Sequence, residues 1–115
     1  GVLIVDGSAP LAGKLQCPVR IEIKDGYARK IPIAALARLI APLGKKALNV
    51  AEFGIGLNPR ARVTGNTLED EKARGTAHIA FGNNSAFGGR VSCPSHLDMV
   101  FLKPLIYADG VRVNI

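Results

Sequence analysis

Residues 19–31 read V-R-I-E-I-K-D-G-Y-A-R-K-I, and this stretch decides the fold class. From Val19 to Ile23 apolar and polar residues alternate with period two, the pattern of a strand with one buried face. Asp25-Gly26 follows, a dipeptide suited to a tight hairpin turn, and Tyr27 to Ile31 forms the returning strand. Strands joined by so short a turn run antiparallel, and so does the sheet that starts here.

The neighbouring segments extend this pattern. Upstream, Val2 to Val5 is an apolar run that stops at Asp6-Gly7-Ser8, with Pro10 and Gly13 as further turn signals. Downstream, residues 33–43 change to helical period, with Ile33, Leu36, Ala37 and Ile40 on one stripe that faces a sheet. Pro32 suits the first helical position and Gly44 the end, and Lys45 and Lys46 lie near the negative end of the helix dipole. Asn49 to Leu57 returns to extended structure. Its G-x-G at Gly54 and Gly56 leads to Pro59 and to no helix-opening glycine, which excludes a dinucleotide fingerprint. Asn66 and Thr67 are candidate caps of a second, shorter helix closed by Arg74-Gly75. Glu69, Asp70 and Glu71 occupy its first turns, where the dipole favours acids. A strand from Thr76 to Phe81, a Gly/Asn-rich loop to Gly89, and strands at 100–102, 105–107 and 111–113 follow, the last two joined at Asp109-Gly110. The expectation is an α+β domain: a mostly antiparallel sheet, able to curve toward a barrel, with two helices.

A chain of 115 residues that is 48% hydrophobic forms one domain, 1–115, with a core of Val, Ile, Leu and Ala, since it has no Trp and few other aromatics. It starts without Met and directly in a strand, so we expect a C-terminal piece of a longer protein. The net charge of +6 is spread among acids, with no basic run longer than Lys45-Lys46 and no aromatics interleaved for base stacking. This argues against a nucleic-acid partner. No apolar window approaches the roughly 18 residues of a membrane span. Cys17 and Cys93 each precede a proline and have no zinc spacing, as expected for two free thiols in a reducing cytoplasm.

The chemistry concentrates between Glu52 and Asp98. This stretch holds both histidines of the chain, His78 and His96, together with Glu52, Glu69, Asp70, Glu71 and Asp98. On a strand, residues two apart share a face, so His96 and Asp98 of H-L-D project together and Leu97 turns into the core. His78 shares its face with Ala80 and Gly82, and Glu52 shares its own with Gly54 and Gly56, small neighbours that leave room beside a ligand. Two imidazoles with carboxylates make an N/O donor set suited to Zn, Co, Mn or Fe(II). H-x-D is a short pattern, and a lone strand histidine is more often a hydrogen-bonded polar residue than a ligand. Spacing alone leaves both readings open.

The segments A-E-F-G-I-G-L-N-P, L-E-D-E-K-A-R-G-T-A-H-I-A-F-G-N-N, F-G-G and H-L-D, followed by L-K-P-L-I-Y-A-D-G, resemble the C-terminal region of the aminopeptidase T type metalloprotease family, whose members are often labelled leucyl aminopeptidases. The resemblance runs from G-V-L-I-V-D-G to Asp109-Gly110. It implies a two-metal hydrolase that removes N-terminal residues from peptides and pairs as a homodimer. By motif position it implies Glu52, His78, His96 and Asp98 as metal ligands, with Glu71 beside the site and Glu52 or Glu71 as general base. The family takes a further glutamate from a G-E-V type motif upstream of Gly1. It also carries a tyrosine shortly after the first histidine, near the place of Ser85 here. The resemblance therefore implies a partial site, inactive in this piece alone. Ring-cleaving dioxygenases of dihydroxypyridines resemble the same family, and His78, His96 and Asp98 also satisfy the two-histidine, one-carboxylate pattern of non-haem Fe(II). A third reading is a non-catalytic domain retained for assembly.

Overall fold

In the computed structural model, which describes residues Gly1–Ile115, Asp25 and Gly26 take φ angles of 54° and 77° and close the hairpin that their dipeptide predicts. The strands are β1 (Val2–Val5), β2 (Ser8–Ala9), β3 (Gly13–Lys14), β4 (Val19–Lys24), β5 (Tyr27–Ala28), β6 (Val50–Ile55), β7 (Thr76–Gly82), β8 (His96–Leu102), β9 (Ile106–Ala108) and β10 (Val111–Val113). The two α-helices are α1 (Ala34–Ile40) and α2 (Thr67–Asp70). A three-stranded sheet has the order β1-β4-β5, a five-stranded sheet has the order β3-β2-β8-β7-β6, and β9-β10 is a separate hairpin. Every strand pair is antiparallel.

The sheets do not close into a barrel. A barrel needs continuous pairing around its circumference. Here only one bridge, Tyr27↔Asn49, joins the end of the smaller sheet to the chain entering β6. Strands β3 and β5 are two residues each, too short to carry the ladder further.

Both helices stop earlier than their sequence signals suggest. Pro42 has no backbone N–H to continue α1, and the chain passes into a 3-10 segment, Ala41–Leu48, broken at Gly44 (φ 66°). Leu36 and Ile40, one turn apart, are the residues of α1 that reach the core. In α2, Asn66 accepts the Leu68 N–H at 3.2 Å as its cap. Beyond Glu71 the backbone pairs with Asn58 instead of continuing the helix: Asn58 N–H donates to Lys72 O at 2.8 Å and Arg74 N–H to Asn58 O at 3.0 Å.

The core lies between the sheets and α1. Leu3, Val5 and Ile21 come from the smaller sheet and Leu36 and Ile40 from α1, and they meet Phe81, Leu97 and Met99 of β7 and β8. Each such side chain contributes about 1.5–3 kcal/mol when fully removed from water.

Asp70, at the end of α2, is fully buried. Its carboxylate accepts from Ser8 Oγ (2.6 Å), Thr64 N (2.6 Å), Thr64 Oγ1 (3.2 Å) and Gly65 N (2.9 Å). It therefore ties the 58–65 loop to β2 and holds α2 against the sheet. The dipole reading of the acidic turn misses this role, because no local signal points to Ser8, 62 residues away. Asp70→Ala would leave these donors buried without an acceptor. We expect a loss of about 3 kcal/mol in denaturant unfolding. A midpoint equal to the wild type would show that the loop does not depend on this carboxylate.

Candidate metal centre

Strands β7 and β8 give their odd residues to the core, so their even residues form the opposite face. Across three strands, Glu52 pairs with Ala80 and Ala80 with Asp98, while Gly54 pairs with His78 and Gly82 with His96. Ala80 is thus the floor between two carboxylates, with the imidazoles to either side along the strands. A register shift between Val50 and Glu52 turns Val50 toward Phe81 and the core, yet leaves Glu52 on the site face. Bulges of this kind re-aim side chains beside functional sites. Gly54 is a steric requirement: a Cβ there would lie 2.2 Å from His78 Cε1.

Glu52, His78 and Asp98 offer ligand atoms that all lie within 4.8 Å of one another, a cluster that could hold a metal ion. His96 stands at its edge. Its Nε2 is 3.0 Å from Glu52 Oε2 and 3.5 Å from Asp98 Oδ1, and its Nδ1 is 2.8 Å from the Asn83 carbonyl. A carbonyl only accepts, so Nδ1 carries the hydrogen and Nε2 points at the carboxylates, the orientation common among metal-bound histidines. His78 has no such support. Its Nδ1 is buried with no partner, and its Nε2 is 3.6 Å from Glu52 Oε1, too far for a hydrogen bond. A buried imidazole without hydrogen bonds is costly, and a cation between these groups would satisfy it.

The cluster opens into a cleft of 540 Å³. Glu71, placed beside the site by the sequence, lines this cleft, with its carboxylate 2.5 Å from Lys72 Nζ. Glu69 and Asp70 do not line it. Ser85 is exposed and hydrogen-bonds to Asn83 Oδ1, and neither tyrosine of the chain reaches the cleft. Leu57, Leu68 and Phe87 form an apolar rim that sequence reasoning missed, and all three are exposed. The Phe87 ring lies 5.7 Å from that of His96. The F-G-G segment was the available signal for Phe87, whereas Leu57 and Leu68 read as ordinary strand and helix residues.

The fold and this face define an α+β domain with a candidate mononuclear or shared metal centre. No protein-family model and no curated protein matches the sequence. Among solved structures, the chain is similar to 2,5-dihydroxypyridine dioxygenase from Pseudomonas putida KT2440, with a TM-score of 0.68 and 24% identity. The match covers 98% of this chain and 40% of the dioxygenase chain, so the domain corresponds to less than half of that protein. At this identity the likeness establishes the fold.

The carboxylates and imidazoles bias one another. Burial raises the Asp98 carboxyl above its ordinary value, the Glu71 charge adds to this, and His96 and His78 offset part of it. Burial opposes the charged form of His96, yet its bond to Asn83 and the nearby Asp98 and Glu52 outweigh this and raise it. Both groups thus hold protons more tightly when folded. For each, the stabilisation is full below its unfolded pKa and is lost as pH rises through the folded pKa. We expect the metal-free protein to lose thermal stability from acidic to mildly alkaline pH, and a divalent ion to restore it most at the upper end. A thermal shift with metal that is independent of pH would contradict this coupling. Gly54→Ala should displace His78 and weaken metal binding by about tenfold or more, read by calorimetry, with the far-ultraviolet circular dichroism unchanged. Undiminished affinity would place His78 outside the ligand set.

Proposed function

We propose that this domain contributes the metal-binding face of a non-haem Fe(II) dioxygenase that opens dihydroxylated aromatic rings. The observation that carries the reading is the buried, unpartnered imidazole of His78 beside Glu52, His96 and Asp98. His78 and His96 with Asp98 make the two-histidine, one-carboxylate set typical of such iron sites. The likeness to a dihydroxypyridine dioxygenase fold supports this reading by analogy. Charge balance supports it as well. Glu71 is paired with Lys72, so Glu52 and Asp98 supply two negative charges, which match one divalent ion.

When bound, the ion would supply the oxygen-dependent ring-opening chemistry. The chain's own residues do the remaining work. Asn83 fixes the His96 ring, Gly54 makes room for the His78 ring, Ala80 leaves space above the sheet, and Leu57, Leu68 and Phe87 shield a flat substrate from water. Glu52, facing both imidazoles, is placed to accept a proton from a substrate hydroxyl.

A second reading is the metal-dependent aminopeptidase. Glu71 favours it as a third carboxylate in the cleft, an acid/base group toward a peptide once it parts from Lys72. One comparison separates the two. The full polypeptide carrying these residues would be loaded anaerobically with Fe(II), mixed with an aromatic diol and exposed to oxygen, and in parallel loaded with Zn, Co or Mn and given aminoacyl-anilides. Stoichiometric oxygen uptake with loss of the diol is the expected result. Anilide cleavage without oxygen uptake would replace the dioxygenase with the peptidase.

A further inference from the structure

A second hollow, of 630 Å³, lies beyond the opposite ends of β7 and β8 from His96 and shares no lining residue with the metal cleft. Three cations from distant parts of the chain line it: Lys14 of β3, Arg74 of the turn before β7, and Lys103 just after β8. None of them has a carboxylate within ion-pair distance, although Arg20 and Lys72 elsewhere in the chain each hold a neighbouring glutamate. The one acid in the hollow, Asp6, is committed to the backbone, accepting the Leu102 N–H at 2.8 Å. Three cations against the one Asp6 carboxylate leave a net positive charge in the hollow, and such a potential attracts anions.

The backbone is shaped around the same place. Lys103 has φ 47°, a left-handed conformation that non-glycine residues seldom adopt, and it precedes Pro104, where extended structure is the rule. Its N–H donates to Gly75 O at 2.9 Å, which holds the Lys103 turn against the Arg74-Gly75 turn. The Gly75 N–H has no acceptor within the chain. Gly7, which lines the hollow, packs so closely on β8 that a Cβ there would lie 2.7 Å from Val100 O and 3.3 Å from Leu102 Cδ2. Leu15, Val63 and Leu102 supply an apolar wall. Strained backbone of this kind is kept where surrounding contacts fix it, and it clusters at ligand sites.

We propose that this hollow binds a small molecule bearing a multiply charged oxyanion, a phosphoryl group or paired carboxylates, with its apolar part against Leu15 and Leu102. The site is separate from the metal centre, and the proposal does not depend on which reaction that centre performs. The test is calorimetric titration of the full polypeptide with pyrophosphate and, in parallel, with citrate, at ionic strength matched with sodium chloride. Lys14→Gln/Arg74→Gln is the variant, since both residues are exposed and make no ion pair or side-chain hydrogen bond. Saturable one-site binding that weakens by about tenfold or more in the variant is the expected result. Binding of pyrophosphate alone would identify a phosphoryl ligand, and binding of citrate alone a carboxylate. No saturable binding of either, or binding undiminished in the variant, would overturn the proposal. Equal thermal melting of the wild type and the variant would confirm that a loss of binding is local.

Discussion

A pleated strand offers only two faces, and in β7 and β8 neither face is free to change. Phe81, Leu97 and Met99 on the odd positions fill the core against Leu36, Ile40 and the smaller sheet. His78, Ala80, His96 and Asp98 on the even positions build the face of the candidate metal centre. A register slip of one residue would exchange the two sets and bury charged groups against the core. The apolar packing that stabilises the fold is therefore the same constraint that sets the spacing of the candidate ligands. The candidate ligands of β7 and β8 are mounted on strands paired on both sides, where supporting contacts hold geometry best.

The edge strand β6 needs more local adjustment, because it has a neighbour on one side only. Without its register shift, Val50 and Glu52 would face the same way, and either the core would lose Val50 or the site would lose Glu52. Gly54 then gives up side-chain packing so that the His78 ring can lie over the backbone. Glycine weakens a strand interior, and its place opposite a buried imidazole gives that weakness a purpose.

Much of this was legible in the sequence. The alternation at 19–23, the Asp25-Gly26 and Asp109-Gly110 turns and the shared face of His96 and Asp98 follow from period-two geometry and turn chemistry, both local properties. Glu52, His78 and Asp98 could be named as candidates from residue type, but their convergence depends on the order β8-β7-β6, which no local pattern encodes. The bulge at Val50/Glu52, the early stop of α2 in favour of Asn58, and the reach of Asp70 to Ser8 are long-range outcomes of the same kind. The barrel-like option failed for a related reason: alternation predicts strands and their faces, while closure depends on strand lengths and on pairing between distant segments. The helix over 33–43 was located correctly, and Pro42 carried the information that it would end early.

Two buried polar groups in this chain form an internal contrast that bears on the metal reading. Asp70 is fully buried, and backbone and hydroxyl donors surround its carboxylate, so the fold satisfies it completely. His78 is also buried, yet its Nδ1 has no partner and its Nε2 lies 3.6 Å from Glu52 Oε1, beyond hydrogen-bond distance. A chain that can assemble donors around Asp70 from two separate segments is able to satisfy a structural histidine as well. Small residues, a bulge and an oriented second histidine have accumulated around the unsatisfied one. Carboxylates crowded together repel, and burial makes the repulsion worse. A divalent cation would relieve the repulsion and the unpartnered imidazole at once. The Glu52, His78 and Asp98 cluster is thus one that could hold a metal ion.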